Sequence, residues 1–233
     1  MKPSSSAIQA RLDEVRGRIA RAAGRAGRDP AGVVLVGVVK TVPVGRIREA
    51  VSLGLADLGE NRVQEAEQHV GALGQSAARW HMIGHLQRNK AGRAVELFDR
   101  VQAVDSVELA EALSRRAVAA GRTLPVLVEV NVSGEATKFG AAPEAVEGLL
   151  ERVAALPGLS LDGLMTVGPP VAGAEQARPG FAQLRALRDR GERALGRRLP
   201  ELSMGMSGDF EVAVEEGATL VRVGTALFGE RIV

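Results

Sequence analysis

Apolar positions follow two alternating spacings along this chain. Short continuous apolar runs, the first over residues 33–39, alternate with longer stretches in which apolar residues recur every three or four positions. The continuous runs are typical of strands buried on both faces, and the wider spacing is typical of helices with one buried face. Before the first run, helical spacing predicts an amphipathic helix over residues 5–23, with Gly24 near its end. Ser6 and Gln9 stand at the spacing of a capping box at its start.

Eight predicted strands and the helices between them follow each other in a regular order. The strands are expected at residues 33–39, 56–59, 79–83, 101–104, 124–132, 159–165, 202–204 and 219–223. After the first helix, the helices are expected around residues 47–51, 62–69, 91–98, 105–120, 143–155, 181–195 and 209–216, with Asp105 and Glu108 as a second capping box.

This alternation predicts the fold class. Strict alternation implies parallel strands, and eight units in 233 residues predict an α/β fold, a closed (β/α)8 TIM barrel, as a single domain over residues 1–233. The extra N-terminal helix is expected to cover the outside or the floor of the barrel. An open doubly wound sheet is the alternative, but the glycine fingerprint of dinucleotide-binding folds does not follow the first strand.

Composition excludes several classes of function. The sequence contains no cysteine, which rules out disulfides, thiolate metal ligands and a cysteine nucleophile. No apolar run approaches the roughly 18 residues that span a membrane, and we expect a cytoplasmic protein. The formal net charge is +2, aromatic residues are 3% of the chain, and basic residues form no stripe with interleaved aromatics. A nucleic-acid function is therefore not supported.

The first strand ends in Lys40, where a barrel of this kind places its ligands. Lysine occurs only at positions 2, 40, 90 and 138, whereas arginine is the usual cation of this chain. An amine beside apolar surface is a candidate for a Schiff base with an aldehyde. The alternative is a lysine that ends a strand and faces water, and this stretch taken alone favours that alternative.

Two loops at the end of the chain contain groups suited to a phosphate. Ser207 follows the seventh strand and Gly224-Thr225 follows the eighth. These are the loops that often hold a phosphate in (β/α)8 barrels, through hydroxyl groups and closely approaching backbone N–H groups. Either loop alone is weak evidence, because turns need glycine anyway. Together with Lys40, the two loops describe a site for pyridoxal 5′-phosphate (PLP).

Several long motifs resemble one family. From about residue 8 to its C-terminus, the chain is similar to the pyridoxal phosphate homeostasis protein family. That family is itself similar to the N-terminal barrel of alanine racemase. The motifs that carry the resemblance are residues 39–41, 59–61, 80–84, 86–90, 202–209 and 221–225. The resemblance implies a barrel that holds PLP as a Schiff base on Lys40. It also implies a role in vitamin B6 and amino-acid homeostasis, with no firmly assigned reaction. Val39 and His85 depart from the residues common in the family.

The resemblance also assigns roles around the cofactor. It implies that the phosphate is held by Ser207, Gly224 and Thr225. It places Arg222 at the pyridine nitrogen and Asn61 along the cofactor face, with Met165 as apolar packing against the ring. The alternative for Arg222 is an outward ion pair, and the alternative for Asn61 is the N-cap of the next helix.

The remaining polar residues do not assemble a further site by sequence reasoning. Three scattered histidines make no metal site. We expect His81 inside the barrel with hydrogen-bond partners, and His69 and His85 at the surface. Glu129 and Asn131 point either into the barrel or toward the helices.

The absence of tyrosine separates two functions. Racemisation by two bases needs a second acid/base opposite the lysine, and in alanine racemase a tyrosine from a further domain supplies it. This chain has no tyrosine. We therefore expect a PLP-binding protein without catalytic residues. Separately, we expect a monomer whose partners are PLP and apo forms of PLP-dependent enzymes. A racemase-like enzyme, in which His85 or His81 substitutes for the tyrosine, is the alternative. A scaffold that only kept the fold would bind no cofactor.

Overall fold

The computed structural model describes residues 6–135, 138–168 and 173–229, and its strands close into one parallel barrel in chain order. The last strand pairs with the first, which confirms the (β/α)8 barrel and makes the open-sheet alternative wrong. The strands β1 to β8 are Val34–Val38, Asp57–Glu60, Arg79–Met82, Arg100–Val104, Leu124–Glu129, Leu159–Met165, Glu201–Ser203 and Leu220–Val223.

Helices follow the strands around the outside of the barrel. The helices α1 to α9 are Ala7–Arg25, Val44–Ser52, Val63–Leu73, Ala91–Leu97, Val107–Ala119, Val146–Ala154, Arg178–Leu195, Phe210–Glu215 and Thr225–Phe228. The main hydrophobic core lies between the strands and this helical layer. Because every strand is parallel to its neighbours, the carboxyl ends of all eight open on one face, the mouth of the barrel.

The extra N-terminal helix packs on the outside of the barrel, against α2, α8 and α9. Its N-cap Ser6 accepts a hydrogen bond from the Gln9 backbone N–H at 3.1 Å, which confirms that half of the predicted capping box. The Gln9 side chain contacts Asp13 instead of returning to the cap. The buried face of α1 is the predicted apolar stripe, Ile8, Leu12, Val15 and Ile19.

The end of the fifth strand and one capping box differ from the prediction. The fifth strand ends at Glu129 rather than at residue 132, because Val130 instead forms a bridge with Ala141. Helix α5 has Ser106 at its N-cap, without a side-chain cap bond, so the capping box at Asp105 is wrong. The Asp105 carboxylate contacts His85 at 3.2 Å instead. Of the predicted loop at 168–173, residues 169–172 lie outside the described residues.

Candidate functional site

Lys40 lies on a tight turn just beyond β1, at the mouth of the barrel. The Val42 N–H donates to the Val39 carbonyl at 2.9 Å and closes the turn, while the Val39 N–H donates to Gly59 at 3.0 Å. Thr41 has a φ of 61°, the one positive φ of a non-glycine residue in the described ranges, and such backbone strain is concentrated at functional sites. The half-buried Lys40 side chain has no ion pair or hydrogen bond with any described residue. Its amine is therefore available to a ligand.

A buried acid–imidazole pair supports this turn from behind. Glu60 is fully buried at the end of β2, and its Oε1 lies 2.5 Å from His69 Nδ1 on α3. Burial raises the pKa of Glu60, while the hydrogen bond with Glu60 raises the pKa of His69, helped by a hydrogen bond with the Val42 backbone. The prediction that His69 lies at the surface is wrong, because the inward face of α3 supplies the partner that the buried Glu60 requires.

Asn61 follows the last residue of β2, at the rim of the mouth. Its Oδ1 is buried and has no hydrogen-bond partner among the described residues. Arg62, not Asn61, occupies the N-cap of α3, so the N-cap interpretation of Asn61 is wrong. Gly84 permits the close approach of the next strand end, because a Cβ there would lie 2.6 Å from the Asn61 carbonyl oxygen. A cavity of about 520 Å³ opens beside Asn61.

The loops after β7 and β8 are joined by one hydroxyl group. Ser207 Oγ accepts hydrogen bonds from the Gly224 and Ala226 N–H groups at 3.2 and 3.3 Å. The Ser207 hydroxyl hydrogen is left to donate, and the exposed Thr225 hydroxyl has no partner in the part of the chain described. Gly224 has a φ of −112°, and an added Cβ would meet only Val38, at 3.4 Å. The absence of a side chain at this glycine lets another group approach the backbone closely.

Arg222 lies inside the barrel and is 3% exposed, so the alternative of an outward ion pair is wrong. Its guanidinium donates to Ser203 Oγ at 2.5 Å and to the Thr166 carbonyl at 2.7 Å. Burial lowers the pKa of Arg222 to about 10, against the opposing charges of Glu129 and Asp209. With a pKa of about 10, the Arg222 side chain is still a cation at neutral pH.

Glu129 also faces the barrel interior. Two residues apart in β5, Glu129 and Leu127 lie on the same face of the strand, and Leu127 packs inside the barrel against Ala103 and Met165. Its Oε2 is buried without a hydrogen-bond partner in the described ranges. Burial, together with the charge of Asp105, raises the pKa of Glu129 to about 7 against the opposing charge of Arg222.

The structure also gives the positions of Asn131, His81 and His85. Asn131 points neither into the barrel nor toward the helices, because its amide donates to the Glu135 carbonyl of the following loop at 2.9 Å. His81 is buried and has partners at both ring nitrogens, which confirms its predicted place inside the barrel. His85 is exposed as predicted, and its ring stacks on Phe139 with the centroids 3.8 Å apart.

The barrel topology brings the predicted site residues to one end of the molecule. Lys40, Asn61, Ser207, Gly224 and Thr225 follow the carboxyl ends of their strands and surround the mouth. Arg222 and the fully buried Met165 lie one level deeper, within β8 and β6. The two departures from the family flank this group, because Val39 precedes Lys40 and packs in the outer core, and His85, on an exposed loop, lines the cavity beside Asn61.

Sequence reasoning missed the groups that hold these residues in place. The positive φ of Thr41 has no sequence signal, and the pairing of Glu60 with His69 follows only from the packing of α3 on β2. No group of three or more metal-ligating side chains occurs within the described residues. No helix in the same ranges combines the length and the hydropathy needed to cross a membrane.

The sequence is similar to a characterised family over nearly its whole length. The family model described as the alanine racemase N-terminal domain matches residues 10–232. The pyridoxal phosphate homeostasis protein of Aquifex aeolicus (strain VF5) is 46% identical over 221 residues, which cover 95% of this chain and 97% of that relative. The protein of the same name from Escherichia coli (strain K12) is 38% identical over 224 residues, covering 94% of this chain and 95% of that relative.

Solved structures show the same fold. PipY of Synechococcus elongatus PCC7942, solved with PLP bound, superposes with a TM-score of 0.80 at 39% identity, covering 91% of this chain and all of PipY (100%). Alanine racemase of Clostridium difficile 630 superposes with a TM-score of 0.74 at 18% identity, over 97% of this chain and 57% of that enzyme. At that identity the second likeness concerns the barrel fold alone.

Proposed function

Because this chain belongs to the pyridoxal phosphate homeostasis protein family, we propose that it binds PLP at the mouth of its barrel and serves in PLP and amino-acid homeostasis. The observation that carries the proposal is the unpaired Lys40 amine on its strained turn, at the same mouth as the hydroxyl groups of the last two loops. We propose that Lys40 holds the PLP aldehyde as a Schiff base.

The residues at the mouth fit the parts of PLP. The Ser207 hydroxyl and the Thr225 hydroxyl are donors suited to a phosphate, and the missing side chain of Gly224 leaves room for it. Arg222 would face the ring nitrogen, with Asn61 along the ring face and Met165 packed below. Bound PLP supplies an electron-withdrawing ring that stabilises negative charge on a carbon attached to its imine nitrogen.

The charge of Arg222 favours holding the cofactor over using it. A guanidinium cannot accept a proton from the ring nitrogen, and its positive charge disfavours a protonated ring. The ring is then a weaker electron sink than one paired with a carboxylate. This supports a binding protein that stores or delivers PLP.

A racemase-like enzyme is the second candidate, and Glu129 is the observation that favours it. His81 has both ring nitrogens occupied, and His85 stacks on Phe139, so neither histidine is placed as a second base. Glu129 instead offers a buried carboxyl oxygen without a partner in the described ranges. Exchange of the α-deuteron of an amino acid by the PLP-loaded protein would support this candidate, and no exchange above free PLP would dismiss it.

The remaining expectations concern the setting of the protein. We propose that it acts as a single-domain monomer and that apo forms of PLP-dependent enzymes receive its cofactor. The cytoplasmic location expected from the sequence stays a prediction.

Titration of the protein with PLP tests the proposal. We expect a visible absorption band that persists through gel filtration, and we expect its loss in Lys40→Ala because no other amine holds the aldehyde. Lys90→Ala is the matched control, since it removes an amine from another segment and should keep the band. A band that survives Lys40→Ala, or a wild-type protein that elutes without PLP, would contradict the proposal.

A further inference from the structure

A continuous chain of hydrogen bonds crosses the barrel interior beneath Arg222. Arg222 contacts Ser203 Oγ at 2.5 Å, and the Ser203 hydroxyl donates to Gln102 Oε1 at 2.6 Å. Gln102 Nε2 then lies 2.8 Å from His81 Nδ1, and His81 Nε2 lies 2.9 Å from Asp57 Oδ1. All five residues are at least nine-tenths buried, so no bond of the chain competes with bulk water.

The chain ends in an ion pair at the floor of the barrel. Arg79 binds Asp57 through two parallel hydrogen bonds of 2.8 and 2.7 Å. Although burial acts to raise it, the hydrogen bonds from His81 and Arg79 lower the pKa of Asp57. Asp57 is therefore an ionised acceptor, and the mouth and floor of the barrel are connected through side chains alone.

The two ends of the chain fix its direction. A guanidinium only donates and a carboxylate only accepts, while serine, glutamine and a neutral imidazole each do both. Each bond then runs the same way, from Arg222 toward Asp57. The imidazole of His81 must accept at Nδ1 and carry its proton at Nε2. An amide does not readily pass a proton on, so Gln102 makes this chain an orienting device and not a proton wire.

These hydrogen-bonded polar side chains occupy a part of the barrel interior that apolar side chains usually fill. Branched apolar side chains generally fill this layer of a (β/α)8 barrel, and buried polar groups stabilise it less than apolar packing does. The apolar layer of Ala103, Leu127 and Met165 lies beside the chain. A polar chain at this depth is explained by what it holds, which is the Arg222 guanidinium.

We propose that Gln102 and His81 are positioning residues for the ring end of the PLP site, anchoring the Arg222 guanidinium through Ser203 to Asp57 at the barrel floor. The inference rests on the proposed PLP site. Neither residue touches the cofactor in this account. Glu129 and Asp209 balance the charge of Arg222, whereas Ser203 and the Thr166 carbonyl fix its orientation.

Two substitutions at position 102 separate positioning from packing. Gln102→Leu keeps the volume but gives Ser203 no acceptor, and we expect PLP to dissociate about tenfold faster because the guanidinium loses its anchor. Gln102→Glu keeps the acceptor for Ser203, and His81 with a proton on Nδ1 as well can donate to the new carboxylate, so the chain of hydrogen bonds stays connected and we expect dissociation within about twofold of wild type. A packing role predicts the opposite order, because leucine suits an apolar interior better than a buried carboxylate.

The control and the second readout keep the test decisive. Ser114→Ala removes another buried hydroxyl hydrogen bond, to the Pro157 carbonyl at 2.7 Å, and should leave PLP dissociation unchanged. Nitrogen NMR of the PLP-free wild type should show the His81 proton on Nε2. The inference is overturned by a proton on Nδ1, or by Gln102→Glu losing PLP as fast as Gln102→Leu. A wild type that binds no PLP, with the expected His81 tautomer, would instead refute the proposed function.

Discussion

At the scale of single residues, Glu129 is the group with the clearest consequence for pH. The residue is 5% exposed, and burial raises the pKa of its carboxyl group to about 7. The folded protein therefore holds this proton more tightly than the unfolded chain does. The stability contributed by protonated Glu129 is complete below the unfolded pKa of about 4.5 and is lost as the pH rises through about 7.

Glu129→Gln should remove this pH dependence. Between pH 4.5 and pH 8 we expect the free energy of unfolding of wild type to fall relative to that of the variant by about 2–3 kcal/mol, since each pKa unit corresponds to about 1.4 kcal/mol. Denaturant titrations of both proteins across that range measure the difference. Parallel profiles would show that the carboxyl group titrates normally.

Ser207 joins the loops after β7 and β8, which we propose hold the phosphate. In Ser207→Ala the N–H groups of Gly224 and Ala226 lose their acceptor and the phosphate loses a donor. We expect PLP affinity to fall about tenfold, and less in Thr225→Ala, where only an unpaired hydroxyl is removed. Equilibrium dialysis measures both. Ser52→Ala, which removes an exposed hydroxyl bonded to Glu49, is the control. Wild-type affinity in both loop variants would refute the phosphate assignment.

At the scale of elements, the Glu60–His69 pair holds α3 against the end of β2 and the turn that bears Lys40. Breaking a buried pair leaves its other member without a partner, which costs more than the pair itself contributes. His69→Leu should therefore destabilise the fold by about 2–4 kcal/mol, measured by denaturant unfolding.

The double variant shows whether the two side chains act together. Glu60→Leu combined with His69→Leu should be less destabilised than the sum of the two single variants, because no buried carboxylate is left unpaired. Additive effects would mean that the pair is energetically independent, against the short contact between Glu60 and His69.

The bounds of the strands and helices show which parts of the fold local sequence patterns predict. The strand Leu159–Met165 has the predicted bounds although Ser160 and Asp162 interrupt its apolar residues, because its backbone pairs with a strand on each side. The fifth strand ends early because a residue distant in sequence, Ala141, pairs with Val130. Asp105 does not cap its helix because His85, from another loop, binds its carboxylate. Local patterns predict elements, and contacts between distant segments decide their ends.

At the scale of the whole molecule, closure of the barrel brings together residues far apart in the sequence. The placement of Lys40, Ser207 and Thr225 at one mouth followed from counting eight strand–helix units. The hydrogen bonds inside the barrel could not be predicted from the same count of strands and helices. Gln102 and Ser203 have no distinguishing pattern in the sequence. Only the closed barrel brings them together, in one series of hydrogen bonds below Arg222.

Covalent trapping tests most directly whether Lys40 holds the PLP aldehyde. Borohydride reduction of the PLP-loaded protein, followed by peptide mass analysis, locates the amine that holds the aldehyde. We expect a reduced pyridoxyl adduct on Lys40 in near-stoichiometric amount, with Lys90 and Lys138 unmodified. An adduct mainly on either of those lysines, or none on Lys40, would contradict that expectation.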